Sequence, residues 1–174
     1  MSLFVRNFRY WLPVSLWLVV IALESLFLSS NVTGSWLWGI LHALHVPMSW
    51  QTFNRFHHIL RKGGHVTGYG ILCVLIFRAW YHSLQETVSS TAAARDIHSA
   101  LNKLRLRCSA LALGMTLLTA ILDEWHQSFD PARTGSIRDV ALDLIGGLIF
   151  LTIALFVFKL WRGIPARELE TASA

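Results

Sequence analysis

Apolar positions in this chain gather into four long runs, broken by short polar stretches that hold most of its charge. The first run, YWLPVSLWLVVIALESLFL from Tyr10 to Leu28, follows Arg6 and Arg9. At 1.5 Å of rise per residue it is long enough to cross a bilayer as a helix. No small-residue cleavage site follows, so the run reads as an uncleaved first span with Pro13 in its first turn. Trp36 to Val46 is apolar but too short to cross, which predicts an interfacial or re-entrant segment. From Trp50 onward, Trp50, Phe53, Phe56 and Leu60 recur at helical spacing among polar neighbours, predicting an amphipathic helix on the membrane surface. The second span is predicted over 63–80, a polar loop with some helix over 82–107, the third span over 108–127 and the fourth over 137–160. The expected fold is therefore all-α: a single integral-membrane domain over 1–174, with four transmembrane helices and an interfacial amphipathic helix before the second.

Composition agrees with the pattern. Hydrophobic residues make up 54% of the chain and charged residues only 14%, with eight Trp, which is too apolar for a soluble domain of this size. The net charge of +5 is not spread as a basic stripe interleaved with aromatics, so no nucleic acid partner is implied. Its better use is orientation. With both termini inside, the outer side holds only Arg55, Arg61, Lys62, Arg133 and Arg138 of the 15 Lys and Arg residues. That asymmetry predicts an N-in/C-in topology. Cys73 and Cys108 lie within or at the start of apolar runs and read as small core residues. His42, His45, His57 and His58 lack the Cys or carboxylate spacing of a metal site, and nothing in the sequence points to a cofactor.

Charge beside lipid is costly, about 2.5–3.5 kcal/mol per ionised residue at a helix centre, so such residues usually face a partner or a cavity. The stretch from Asp123 to Gly147, DEWHQSFDPARTGSIRDVALDLIGG, concentrates Asp123, Glu124, Asp130, Asp139 and Asp143 between two apolar runs. The predicted topology brings Glu24, Arg61 to Tyr69, Asp123 to Gln127 and Arg138 to Asp143 to one outward-facing end. Arg61, His65 and Tyr69 are spaced i, i+4, i+8 and share a helix face; Asp139 and Asp143 do the same. His65, Asp123, Glu124, His126, Asp139 and Asp143 are the candidate catalytic groups, since an imidazole beside a carboxylate suits general acid–base work. Glu24, Arg61, Lys62, Tyr69, Gln127, Arg133 and Arg138 are the candidate ligand-binding groups, the cations suiting an anionic ligand such as a phosphate. Arg133 and Arg138 are expected to pair with Asp139 or Asp123, and His65 to reach a carboxylate. Gly64 and Gly68 form a small-xxx-small pair that predicts a close helix contact.

R-K-x-x-H-x-x-x-Y (Arg61 to Tyr69), D-E-x-H-Q (Asp123 to Gln127), F-x-P-x-R-T-G-S (Phe129 to Ser136) and D-V-x-x-D-x-x-G (Asp139 to Gly146) together resemble the VanZ-like family over about residues 10–160. Asp143 stands where many members have asparagine, and Ala132 where a glycine before the arginine is common. The resemblance implies a small multi-helix protein of the bacterial inner membrane. The family takes its name from a protein associated with resistance to the glycopeptide teicoplanin. Three functions remain open on the residues: a membrane enzyme or binding protein for a lipid-linked or cell-wall-related ligand, an accessory protein whose polar network only fixes helix packing, and a small transporter relaying protons through its carboxylates. Membrane lipids are the expected surroundings in each.

Overall fold

The computed structural model describes residues 3–27, 30–91, 96–129 and 135–163, with side chains for all but 3–6, 27, 30–32 and 160–163. Five helices follow in order: α1 Leu3–Phe27, α2 Ser30–Ala43, α3 Trp50–Thr91, α4 Ile97–Gln127 and α5 Ile137–Gly163. No strand occurs among the described residues. α1 and α4 run antiparallel to α3, as Tyr10 stacks on His82 at one end while the Trp17 indole N–H donates to the Gly68 carbonyl at 2.8 Å further along. α5 runs parallel to α3, from the Lys62–Asp139 ion pair to the Tyr81–Phe158 ring contact. The starts of α3 and α5 therefore meet the ends of α1 and α4.

Among the described residues three helices, not the four expected, are long and apolar enough to cross a membrane: Asn7–Leu26, Ile97–Gln127 and Ile137–Lys159. The expected second span lies inside α3, whose glycines, His65, Tyr69 and Arg78 dilute its apolar run. The physical reason is position. α3 packs against α1, α4 and α5, so its side chains meet other helices where those of the outer helices point away from the bundle. Tyr69, Leu72, Cys73, Ile76 and Ala79 are all buried on it, whereas Leu16, Val19, Leu23, Leu118, Leu148 and Phe156 stand exposed on its neighbours. Cys73 and Cys108 are buried and free, as small core residues should be.

Several local expectations are corrected. The amphipathic segment from Trp50 is not a separate interfacial helix. It continues without a break through Gly63 and Gly64 into α3, giving one helix of 42 residues. Most of Trp36 to Val46, expected as an interfacial or re-entrant segment, belongs to α2, which folds back on the start of α3 through Trp38, Trp50 and Phe53. Residues 82–107 are mostly helical, extending α3 and α4 into a hairpin whose Tyr81, Leu104 and Cys108 form a second small core. Pro13 falls mid-helix, because α1 begins at Leu3 rather than Tyr10.

The glycine contact also lies elsewhere. A Cβ on Gly64 or Gly68 would meet nothing within 4 Å. A Cβ on Gly70 would meet the Phe150 ring at 2.5 Å, and one on Gly147 would touch Cys73 and Thr116. A Cβ on Gly146 would run into the Val66 backbone, 2.9 Å from its Cα. The α3–α5 interface, rather than the Gly64/Gly68 face, is where backbones approach most closely.

Candidate functional site

The junction of α1, α3, α4 and α5 is held by polar bonds of two kinds. The first kind ties elements together. The backbone N–H of Ser136 donates to Glu124 Oε2 at 2.7 Å, so the last turn of α4 holds the residue that starts α5. The Ser136 hydroxyl in turn accepts the Arg138 N–H at 3.2 Å, an N-cap that satisfies one orphan donor of the new helix. Asp139, in the first turn of α5, forms an ion pair with Lys62 of α3. Its negative charge also suits the positive end of the helix dipole.

The second kind surrounds a cavity. Asp123 Oδ2 accepts the Tyr69 hydroxyl at 2.9 Å and the Gln127 amide at 3.0 Å. Gln127 reaches across to the Ser25 hydroxyl of α1 at 3.5 Å. These side chains, with Glu24, Thr33, Arg61, Gly64, His65 and Gly68, line a cavity of about 40 Å³. A water needs about 10–15 Å³ of such space, so the cavity admits a small polar group. The two glycines act here as wall rather than as contact, since a side chain at either would project into open space.

Asp143 stands apart from both sets. It is 1% exposed, and its Oδ1 has no hydrogen-bond partner among the described residues. His65 Nδ1 lies 3.7 Å away, within ion-pair range and beyond hydrogen-bond reach. The His65 ring stacks on Tyr69 with centroids 6.2 Å apart, so one imidazole faces the Asp143 carboxylate and lines the cavity of Asp123.

The sequence candidates divide accordingly. Glu24, Arg61, His65, Tyr69, Asp123 and Gln127 come together around the cavity. Glu124, Lys62 and Asp139 serve as ties between elements. Arg138 is exposed and does not pair with Asp139 or Asp123, because Lys62, one α3 residue on from Arg61, already occupies Asp139. His126 is exposed and lines the groove between α1 and α4 rather than the cavity. Arg133, with its expected pairing, and Asp130 lie outside the described residues.

A family model described as VanZ/LLP1 matches residues 7–159, which takes in all five helices and every cavity residue. The chain belongs to the VanZ/LLP1 family. No match was found among curated proteins or solved structures. With its three apolar helices, this VanZ/LLP1 chain is a multi-pass membrane protein. Among its described residues no group of three His, Cys, Asp or Glu stands close enough to hold a metal ion.

Sequence reading alone did not single out Ser25, Thr33 or Trp17 of this VanZ/LLP1 chain, and met Ser136 only as the end of the F-x-P-x-R-T-G-S motif. Ser136 was the most accessible of them, since a serine immediately before an apolar run with an acidic first turn is an N-cap signal. Thr33 also bonds His57 on α3, with Oγ1 and Nε2 3.1 Å apart. Burial first, then the charges of Arg61 and His58, holds the His57 pKa below 6.5, so that ring joins α2 to α3 in its neutral form.

Proposed function

We propose that this chain is a bacterial inner-membrane protein whose polar cavity binds the head group of a lipid-linked or cell-wall-related ligand at the outer face. The observation that carries the reading is the cavity itself. Arg61, His65, Glu24, Tyr69, Asp123 and Gln127 converge on one small space at the end of an otherwise apolar bundle. Polar groups are costly at membrane depth and ordinarily mark a functional pathway or site. Arg61 and His65 supply donors for a phosphate, and the bonds from Tyr69 and Gln127 fix the Asp123 carboxylate beside it. A purely structural role has its own support, limited to Glu124, Lys62 and Asp139, whose bonds join helix ends.

The reading is tested by lipid retention. Native mass spectrometry of the wild type, released from nanodiscs of bacterial lipid extract, is expected to retain a phosphate-bearing lipid after delipidating washes. The variant combining Arg61→Ala and Tyr69→Phe is expected to lose it; equal retention overturns the binding role. A link to teicoplanin resistance adds a cellular expectation: expressing the wild type in a sensitive host raises the concentration of drug it survives. An unchanged threshold removes that link alone.

In the same reading α3 crosses the membrane sheltered by α1, α4 and α5, with both termini in the cytoplasm and the cavity outside. The Lys and Arg asymmetry supports that direction, while the meeting of the α1 and α4 ends with the α3 and α5 starts puts the cavity at one end of the bundle and the chain termini toward the other. In a background lacking Cys73 and Cys108, Ile137→Cys should react with an impermeant thiol reagent on spheroplasts while Ser90→Cys should not. Ile137 is 86% exposed, so burial would not mask it. The reverse labelling would place the cavity in the cytoplasm.

A further inference from the structure

Beyond the cavity, the described surface carries two sizeable grooves. The larger, about 630 Å³ between α4 and α5, is lined by apolar side chains and reaches Glu124, whose carboxylate is already bonded to the Ser136 N–H. It shares no residue with the polar cavity. The other, about 310 Å³, lies between α1 and α4 and is lined by Leu18, Ala22, Leu26, Thr119 and Leu122 among others. Ile21, Ser25 and Asp123 line both this groove and the polar cavity. It arises because α1 and α4 barely touch, each packing on α3 instead.

We infer that the ligand enters sideways from the bilayer through the α1–α4 cleft, as an amphiphile whose hydrocarbon chain lies in the groove while its phosphate-bearing head seats in the cavity. This rests on the proposed ligand-binding role and names the class of molecule and its route. The groove falls within two helices apolar enough to cross a membrane, so hydrocarbon is what surrounds its mouth. Its volume sits at the lower end of ligand pockets, about 300–1,000 Å³, which suits one chain. The polarity changes along its length in the order an amphiphile needs: Leu18, Ala22 and Leu122 along the cleft, then Ser25 and Asp123, then Arg61 and His65 within the cavity.

The test uses a diazirine-bearing lysophosphatidylglycerol, which has one chain and a phosphate head, with glycerol 3-phosphate as the head group alone. Cross-links in the wild type should map to peptides covering 18–26 and 119–126. Ala22→Phe or Thr119→Phe, each filling the groove from one side, should lower labelling about tenfold, corresponding to about 1.4 kcal/mol. Val20→Phe, on the same helix outside the groove, and Ala141→Phe, in the α4–α5 groove, should leave it unchanged. Melting curves identify any groove variant that fails to fold, and the other then carries the comparison. Undiminished labelling in a folded groove variant overturns the lateral route, as does labelling confined to 137–144 or competition by glycerol 3-phosphate as strong as that by the unlabelled lysolipid. If the route fails while Tyr69→Phe still weakens labelling, the cavity role stands. If Tyr69→Phe and Arg61→Ala change nothing, the cavity role fails and takes the route with it.

Discussion

Gly146→Ala should destabilise the protein by about 3 kcal/mol or more, while Gly64→Ala and Gly68→Ala should leave its melting temperature nearly unchanged. The difference follows from what the new methyl group meets. At Gly146 it would strike the main chain of Val66, which is held in the middle of α3 by helical hydrogen bonds and cannot turn aside as a side chain can. Relief requires α5 to move away from α3, and that separation would also loosen Gly147 from Cys73 and Thr116, and Asp143 from His65. At Gly70 the obstacle is the Phe150 ring, which has rotamers available, so Gly70→Ala should fall between the two extremes. Tryptophan fluorescence melts of the four variants in one detergent would give the order. Equal losses at Gly68 and Gly146 would mean that α3 and α5 are not in contact as described.

Asp123→Asn and Asp143→Asn should have opposite consequences although both remove one carboxylate from the same end of the bundle. Asp123 uses a single oxygen to accept from Tyr69 and Gln127, and an asparagine can place its carbonyl oxygen there, so the fold should survive. What disappears is the other oxygen's capacity to accept from a hydroxyl of the head group, since the amide nitrogen that replaces it donates instead; lipid retention should fall and any gain in teicoplanin tolerance with it. Asp143 is buried with an oxygen that accepts no hydrogen bond among the described residues. An ion so placed costs several kcal/mol of desolvation, incompletely offset by His65 at 3.7 Å. Asp143→Asn should therefore stabilise the protein by about 1 kcal/mol or more and preserve ligand retention. Melting and retention measured on the same preparations separate the two. Loss of retention in Asp143→Asn would assign that carboxylate to the ligand, and full retention in Asp123→Asn would remove Asp123 from the site.

The cavity residues were readable in the sequence because charge in an apolar chain is conspicuous, and because i, i+4 spacing fixes which groups share a helix face. Arg61, His65, Tyr69, Asp123 and Gln127 were found that way. Their partners were not. Spacing along one helix says nothing about rotation relative to the next, so Lys62 rather than Arg138 could only be matched to Asp139 in three dimensions. The Gly64/Gly68 pair had the right spacing for a helix contact, yet that face of α3 turns toward the cavity and the contact falls to Gly70 and Gly146. Hydropathy identified the helices that face outward and also placed a span over 63–80, yet α3 falls short of the apolar content of a crossing helix, because a central helix is relieved of the need to be apolar. Its polar residues Arg61, His65 and Tyr69, read as candidate site groups sharing one helix face, are the inner wall of the cavity.

Because α3 is unbroken from Trp50 to Thr91, about 63 Å at 1.5 Å per residue, it behaves as a lever. The close approach of Val66 to Gly146 sets a fulcrum nearer its Trp50 end, level with the cavity, whose Arg61 and Tyr69 lie on either side of it. A small tilt that admitted a head group between Arg61 and Asp123 would swing the far arm, with the Tyr81 and Leu104 hairpin, through a larger arc in the opposite direction. If the cavity binds a head group as proposed, its occupancy would bear mechanically on the posture of the hairpin at the far end of the bundle.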